Sequence, residues 1–142
     1  MKNANLKIKS RTEKLSVVRD FILDAALKFG FDEDTSGQIA LAVDEACTNI
    51  IKYSYLFAED RDIDIAVRAN NGAFEVVITD RGRAFNPDDV KAPDMKEYLQ
   101  HYRRGGLGMY LMRSLMDKVE YKISDGKNEV FLVKYFPVRV GR

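Results

Sequence analysis

Two alternating runs joined by Asn70-Asn71-Gly72 constrain this chain most. In DIDIAVRA (62–69), Ile63, Ile65 and Val67 fall on one face of an extended segment; in AFEVVITD (73–80), Phe74, Val76 and Ile78 do the same. A side-chain period of two is the signature of a half-buried strand. Asparagine and glycine supply the tight turn between them, so an antiparallel hairpin is expected. One apolar sheet face needs a second layer to cover it.

The covering layer is legible after a short opening strand, LKIK (6–9). Leu15, Val18, Ile22, Ala25, Ala26 and Phe29 recur at three- and four-residue spacing, which predicts an amphipathic helix over 12–29. Ser10 or Thr12 can cap it and Gly30 can stop it. Ile39, Ala42, Val43, Ala46 and Ile50 mark a second helix ending near 54. Periodicity is then lost from Asp80 to Gly106, a length that suits a functional lid. A third helix is expected over 107–119, then strands VEYKIS and NEVFLVKYF turning at Asp125-Gly126. The order β-α-α-β-β-lid-α-β-β has too few helices for a doubly wound parallel sheet. It predicts one α/β (α+β) domain over 1–142: a two-layer sandwich of a mixed, mostly antiparallel sheet with three helices on one face.

Composition narrows the function. The 142 residues hold 23 basic and 22 acidic side chains, a net charge of +1, which gives no reason to expect nucleic-acid or anionic-membrane binding. One cysteine, Cys47, and one histidine, His101, exclude an intramolecular disulfide and any cysteine- or histidine-rich metal site. Neither a signal-peptide core nor an apolar run of membrane-spanning length is present, so a soluble cytoplasmic domain is expected.

Three groups of residues carry candidate chemistry. Glu45 and Asn49 are four apart, hence one turn apart on one face of the second helix. Asparagine offers a hard neutral oxygen suited to Mg²⁺ that also takes phosphate ligands, and a glutamate can orient or deprotonate a nucleophile. Alone, the pair also suits an ordinary solvated helix face. In RRGGLGMYLM, Gly105, Gly106 and Gly108 open a helix, where free N–H groups favour an anion, and Arg103 and Arg104 stand just upstream. Alone, this also suits a flexible hinge; it is neither a Walker A motif nor a Rossmann fingerprint. In DRGRAFNPDD, Asp80 ends a strand, where its carboxylate can accept from an amino group such as that of adenine; Gly82 lets the chain turn. Alone, Asp-x-Gly is also a common turn.

Together the groups are far more specific. Glu-x-x-x-Asn on a helix, a strand ending Asp-x-Gly-x-x-Phe, a long lid, and Gly-Gly-Leu-Gly opening a helix resemble the ATP-binding (Bergerat) fold of gyrases, sensor histidine kinases and MutL-type ATPases. LAVDEACTNIIKYSY and VFLVKYF are most similar to the bacterial anti-sigma factor serine kinases of the RsbW and SpoIIAB type, over essentially the whole chain.

That resemblance implies ATP and Mg²⁺ as cofactors. It implies Glu45 as catalytic base, Asn49 as Mg²⁺ ligand, and Asp80 bonding the adenine amino group with Gly82 beside the base. Gly105, Gly106, Leu107 and Gly108 would contact the phosphates, with Arg103 or Arg104 as an added basic contact. Phe85 would mark the start of the lid, about 83–105. The implied reaction moves the γ-phosphoryl group to a serine of a STAS-fold anti-anti-sigma partner; a sigma factor is a second partner, and a homodimer forms through the sheet. A nucleotide-gated binding module with little kinase activity is the alternative. Two positions depart from the family pattern: Tyr53 stands where histidine is common, and Asn128 stands near the usual threonine, where its amide can bond the same neighbours.

Overall fold

The computed structural model describes residues 2–85 and 112–137. Strands β1 (Lys2–Lys9), β2 (Asp62–Asn70), β3 (Ala73–Asp80), β4 (Lys118–Ser124) and β5 (Lys127–Tyr135) form one sheet in the order β1-β2-β3-β5-β4. All four pairings are antiparallel, so the sheet is not mixed among the described residues. The β2–β3 hairpin forms as the alternation predicts. Its two-residue loop places Asn71 at φ 49° and Gly72 at φ 81°, the paired positive angles of a type I′ turn, and sets Ile65 against Ile78 and Val67 against Val76.

Helices α1 (Leu15–Phe29) and α2 (Glu33–Asn49) supply the second layer. Val18, Ile22 and Ala26 of α1 and Ile39, Ala42 and Val43 of α2 are fully buried and join one core with Ile63, Ile65, Phe74, Val76, Ile78 and Leu132. Each fully buried side chain of the larger kind contributes roughly 1.5–3 kcal/mol. Gly30 ends α1 at φ 117°, and the Phe31 N–H closes the turn on Ala26 O at 3.1 Å. Asp32 then caps α2 by accepting from Thr35 N–H at 2.7 Å.

Three local expectations change. Neither Ser10 nor Thr12 caps α1, which starts at Leu15 after a 3₁₀ turn over Thr12–Lys14. Ser10 is buried, and its hydroxyl donates to Ala58 O and accepts from Arg61 N–H, tying the end of β1 to the loop before β2. The α-helix of α2 stops at Asn49, and Ile50–Ser54 is π-helical. The third helix is helical over 112–115 in its described part and does not reach 119. Lys134 Nζ donates to Leu115 O at 2.9 Å and Asp117 N–H to Val133 O at 2.9 Å, so β5 captures the chain and β4 begins at Lys118.

Candidate functional site

The site lies where the C-terminal end of α2 meets the ends of β3 and β5. Asp44, Glu45 and Asn49 are buried polar residues on the C-terminal half of α2, which packs into the core. Asp44 is held by Arg19 of α1, whose Nη1 donates to Oδ1 at 2.9 Å. Asn49 is 3% exposed, and its Nδ2 has no hydrogen-bond partner among the described residues. A buried amide proton without an acceptor costs about 1–3 kcal/mol, which a ligand or its hydration shell can recover. Glu45, one turn earlier, is equally buried.

From Ile50 the chain is π-helical, and Tyr55 N–H reaches back to Ile50 O at 3.0 Å. Such segments recur at functional sites because the extra residue re-aims the side chains beyond it. Here it turns Tyr53, Ser54 and Tyr55 toward the chain leaving β3. Gly82 packs on them: a methyl group there would sit 2.4 Å from Ser54 O and 2.8 Å from Tyr55 Cδ1. Glycine is required by close approach, not by the sign of its φ.

Asp80 ends β3 opposite Asn128 of β5. Its Oδ1 accepts from Gly82 N–H at 2.9 Å and from Asn128 Nδ2 at 3.0 Å, and Asn128 Nδ2 also donates to Gly82 O at 3.0 Å. Burial raises the Asp80 pKa above the ordinary aspartate value; the donors from Asn128 and Gly82 pull against it. Ser54 is buried close by.

Asn49, Asp80, Phe85 and Asn128 line one pocket, which the structure closes with Ala46, Ile50, Tyr121, Ile123 and Val130 and, beside Asn128, with Glu129. Ile123 is 56% exposed, so the apolar wall is open to an incoming ligand at that edge. A mostly apolar cleft with a few fixed polar groups is the usual form of a small-molecule site. Four of the sequence-derived residues are thus brought together, with Gly82 bonded to two of them. Glu45 does not line the pocket. Arg103, Arg104, Gly105, Gly106, Leu107 and Gly108 lie outside the described residues, as does His101. Sequence reading missed the apolar wall of the pocket and any part for Ser54 and Tyr55, and it named Tyr53 only as a departure from the family pattern. Ala46 and Ile50 flank Asn49 on one helix face and were legible in principle; Tyr121 and Ile123 depend on how β4 pairs with β5.

Cys47 is fully buried, and burial raises its thiol pKa well above the ordinary range, so it is a core side chain and not a nucleophile. Among the described residues no helix is long and apolar enough to cross a membrane.

Comparison with known proteins places these features in context. Residues 8–134 match the family model described as histidine kinase-like ATPase domain. The chain is 30% identical over 125 residues to a serine-protein kinase RsbW of Halalkalibacterium halodurans, covering 85% of this chain and 76% of that one. It is 30% identical over 135 residues to a serine-protein kinase RsbW of Bacillus mycoides, covering 92% and 82%. Among solved structures, the RsbU and RsbW domains of Rv1364c from Mycobacterium tuberculosis superimpose with a TM-score of 0.68 at 16% identity, a likeness of fold. That match takes in 100% of this chain, which spans about a third, 35%, of the solved one.

Proposed function

The chain belongs to the histidine kinase-like ATPase family, and from that premise we propose that it is an ATP-dependent serine-protein kinase of the anti-sigma type. Its substrates would be ATP with Mg²⁺ and a serine of a STAS-fold anti-anti-sigma protein, and a sigma factor would be its second partner. The observation that carries this reading is the Asp80 carboxylate, buried at an apolar pocket and fixed by Gly82 and Asn128. A buried acceptor held this way binds a ligand with a matching amino group and strongly rejects one that lacks it.

The residues present fit the nucleotide and its cation. Asp80 is the acceptor for the base amino group, and Ala46, Ile50, Tyr121 and Val130 form the apolar surround. Asn49 Nδ2 is a buried donor without an acceptor among the described residues, which suits a phosphate oxygen, and the oxygen of the same amide is the atom that would face the cation. When bound, Mg²⁺ neutralises charge on the phosphate oxygens, the main requirement of phosphoryl transfer. The chain's own contribution is positioning. Glu45, one turn from Asn49, would orient the acceptor serine and take its proton, a role worth roughly 10²–10⁴ in rate. Phosphate contacts from Gly105–Gly108 and from Arg103 or Arg104 rest on the sequence motif. The homodimer formed through the sheet rests on the resemblance to the anti-sigma kinases alone.

Incubating the chain with γ-labelled ATP, Mg²⁺ and a STAS-fold partner tests the reading. The expected product is a partner phosphorylated on one serine, with Glu45→Ala still binding nucleotide but transferring nothing. A partner that binds yet is never phosphorylated would overturn the kinase assignment and leave a nucleotide-gated binding module.

A further inference from the structure

The end of the π-helical turn that follows α2 and the residues that come after β3 lie side by side, matched in opposite order. Arg81 N–H donates to Tyr55 Oη at 2.9 Å, Arg83 N–H to Ser54 O at 3.0 Å, and Arg83 Nε to Tyr53 O at 2.9 Å. The rings of Tyr53 and Phe85, 5.4 Å between centroids, complete the row. Ser54 and Tyr53 contribute backbone carbonyls to the hydrogen bonds, which most residue types could supply. Tyr55 contributes a side-chain hydroxyl. That hydroxyl also donates to Asp62 O at 2.6 Å, so it ties the first residue of β2 to the turn after β3. Tyr55 is buried, and burial raises its pKa, which keeps the phenol protonated and able to donate.

Arg81 sits between Asp80 and Gly82, and the Gly82 N–H is one of the two donors that fix Asp80 Oδ1. A shift of the backbone at Arg81 therefore moves both the carboxylate and its donor. The Tyr55 ring supports the same turn, packed where Gly82 has no side chain.

We propose that Tyr55 is a positioning residue for the base-reading carboxylate: its hydroxyl locks Arg81 N–H to the Asp62 carbonyl and so fixes Asp80 and Gly82 at the pocket. Tyr55 does not line the pocket and acts only through this turn. The inference rests on the nucleotide reading of the site and names a determinant of its base selectivity. Because Tyr55 caps the π-helical turn that follows Asn49, one continuous segment carries both the residue proposed for the cation and the lock for the base corner.

Tyr55→Phe keeps the ring and removes only the hydroxyl. Calorimetric titration with Mg-ADP and Mg-IDP, alongside thermal melts, reads both affinity and base selectivity. IDP replaces the adenine amino group by a carbonyl, so wild type should prefer ADP. Tyr55→Phe should weaken ADP binding about tenfold or more and narrow the ADP-to-IDP ratio, because displacements near 1 Å at a binding group carry effects of this size or larger. Ile22→Val, a change in the core of α1, should lower the melting temperature and leave the ratio alone. A Tyr55→Phe protein with a lower melting temperature but unchanged ADP affinity and ratio would show a purely structural tyrosine and overturn the inference.

If that variant does not fold, the wild type decides. Saturating Mg-ADP should slow hydrogen exchange at the Arg81 amide, since a ligand that needs the lock must also stabilise it. Unchanged exchange overturns the lock. A wild type that binds neither nucleotide overturns the nucleotide reading itself, and the inference with it.

Discussion

The side-chain amide of Asn128 donates to Asp80 Oδ1 at 3.0 Å, across two paired strands whose register sets these residues opposite each other. The same nitrogen donates to Gly82 O at 3.0 Å. Both neighbours are acceptors, so the chemistry fixes which way the amide faces. A threonine hydroxyl has one proton to give; the asparagine amide has two and satisfies both. Asparagine at this position can thus make both bonds where a threonine would make one.

Asn128→Asp tests it with a side chain of the same shape and no protons. Three acceptors would then face one another around Asp80. The variant should lose about 1.5–3 kcal/mol of stability, the size of a hydrogen bond to a charged group, with a fall in adenine-nucleotide affinity. Asn128→Thr keeps one donor and should lie between it and wild type. Chemical denaturation and calorimetry read the two effects; an Asn128→Asp protein as stable as wild type would show the bond to be dispensable.

Asp80→Asn separates stability from binding. Because burial raises the Asp80 pKa, the folded chain holds this proton at a pH where the unfolded chain has released it. Stability therefore falls as pH rises from the ordinary aspartate value through the raised folded value, then levels off. The asparagine oxygen can still accept from Gly82 and Asn128, while its nitrogen places a donor where the second carboxylate oxygen stood. The variant should match or exceed wild type in neutral-pH stability and lack this part of the acid dependence. Its affinity for adenine nucleotide should drop at least tenfold, roughly. Melts across mildly acid to neutral pH, paired with titration calorimetry, check both.

Two glycines should respond in opposite ways. Alanine at Gly82 would drive its methyl group into the Ser54 carbonyl at 2.4 Å. Backbone must move, the Arg83–Ser54 bond must lengthen, and a loss of about 1–3 kcal/mol is expected, together with weaker nucleotide binding. At Gly37, inside α2, a methyl group would meet nothing within 4 Å, so Gly37→Ala should raise stability by roughly 0.5–1 kcal/mol and leave binding alone. Denaturant midpoints for the pair give the comparison.

Residue patterning carried the fold a long way. The Asn70-Asn71-Gly72 turn, the α1 stripe and the alternation in β2 and β3 are local signals, and the structure obeys them. The second-helix stripe shares this quality as far as Asn49. Beyond it the π-helical turn re-aims Tyr53, Ser54 and Tyr55, and nothing in a 3.6-residue period announces the extra residue. The meeting of Asp80 with Asn128, 48 positions apart, depends on β3–β5 pairing, which only a family pattern could suggest in advance. The end of the third helix escaped for a similar reason: the bond from Lys134 to Leu115 O is a tertiary contact that overrides helix propensity.

Titration of Mg-ADP into the folded full chain, with Asp80→Asn beside it, bears most directly on the central claim that this pocket reads an adenine nucleotide. Wild type should bind saturably at one site per chain, with Kd in the roughly 1 μM to 1 mM span common for enzyme substrates. The variant should retain its fold and lose that binding. A wild type without measurable binding, or a folded Asp80→Asn protein that binds as tightly as wild type, would contradict the account.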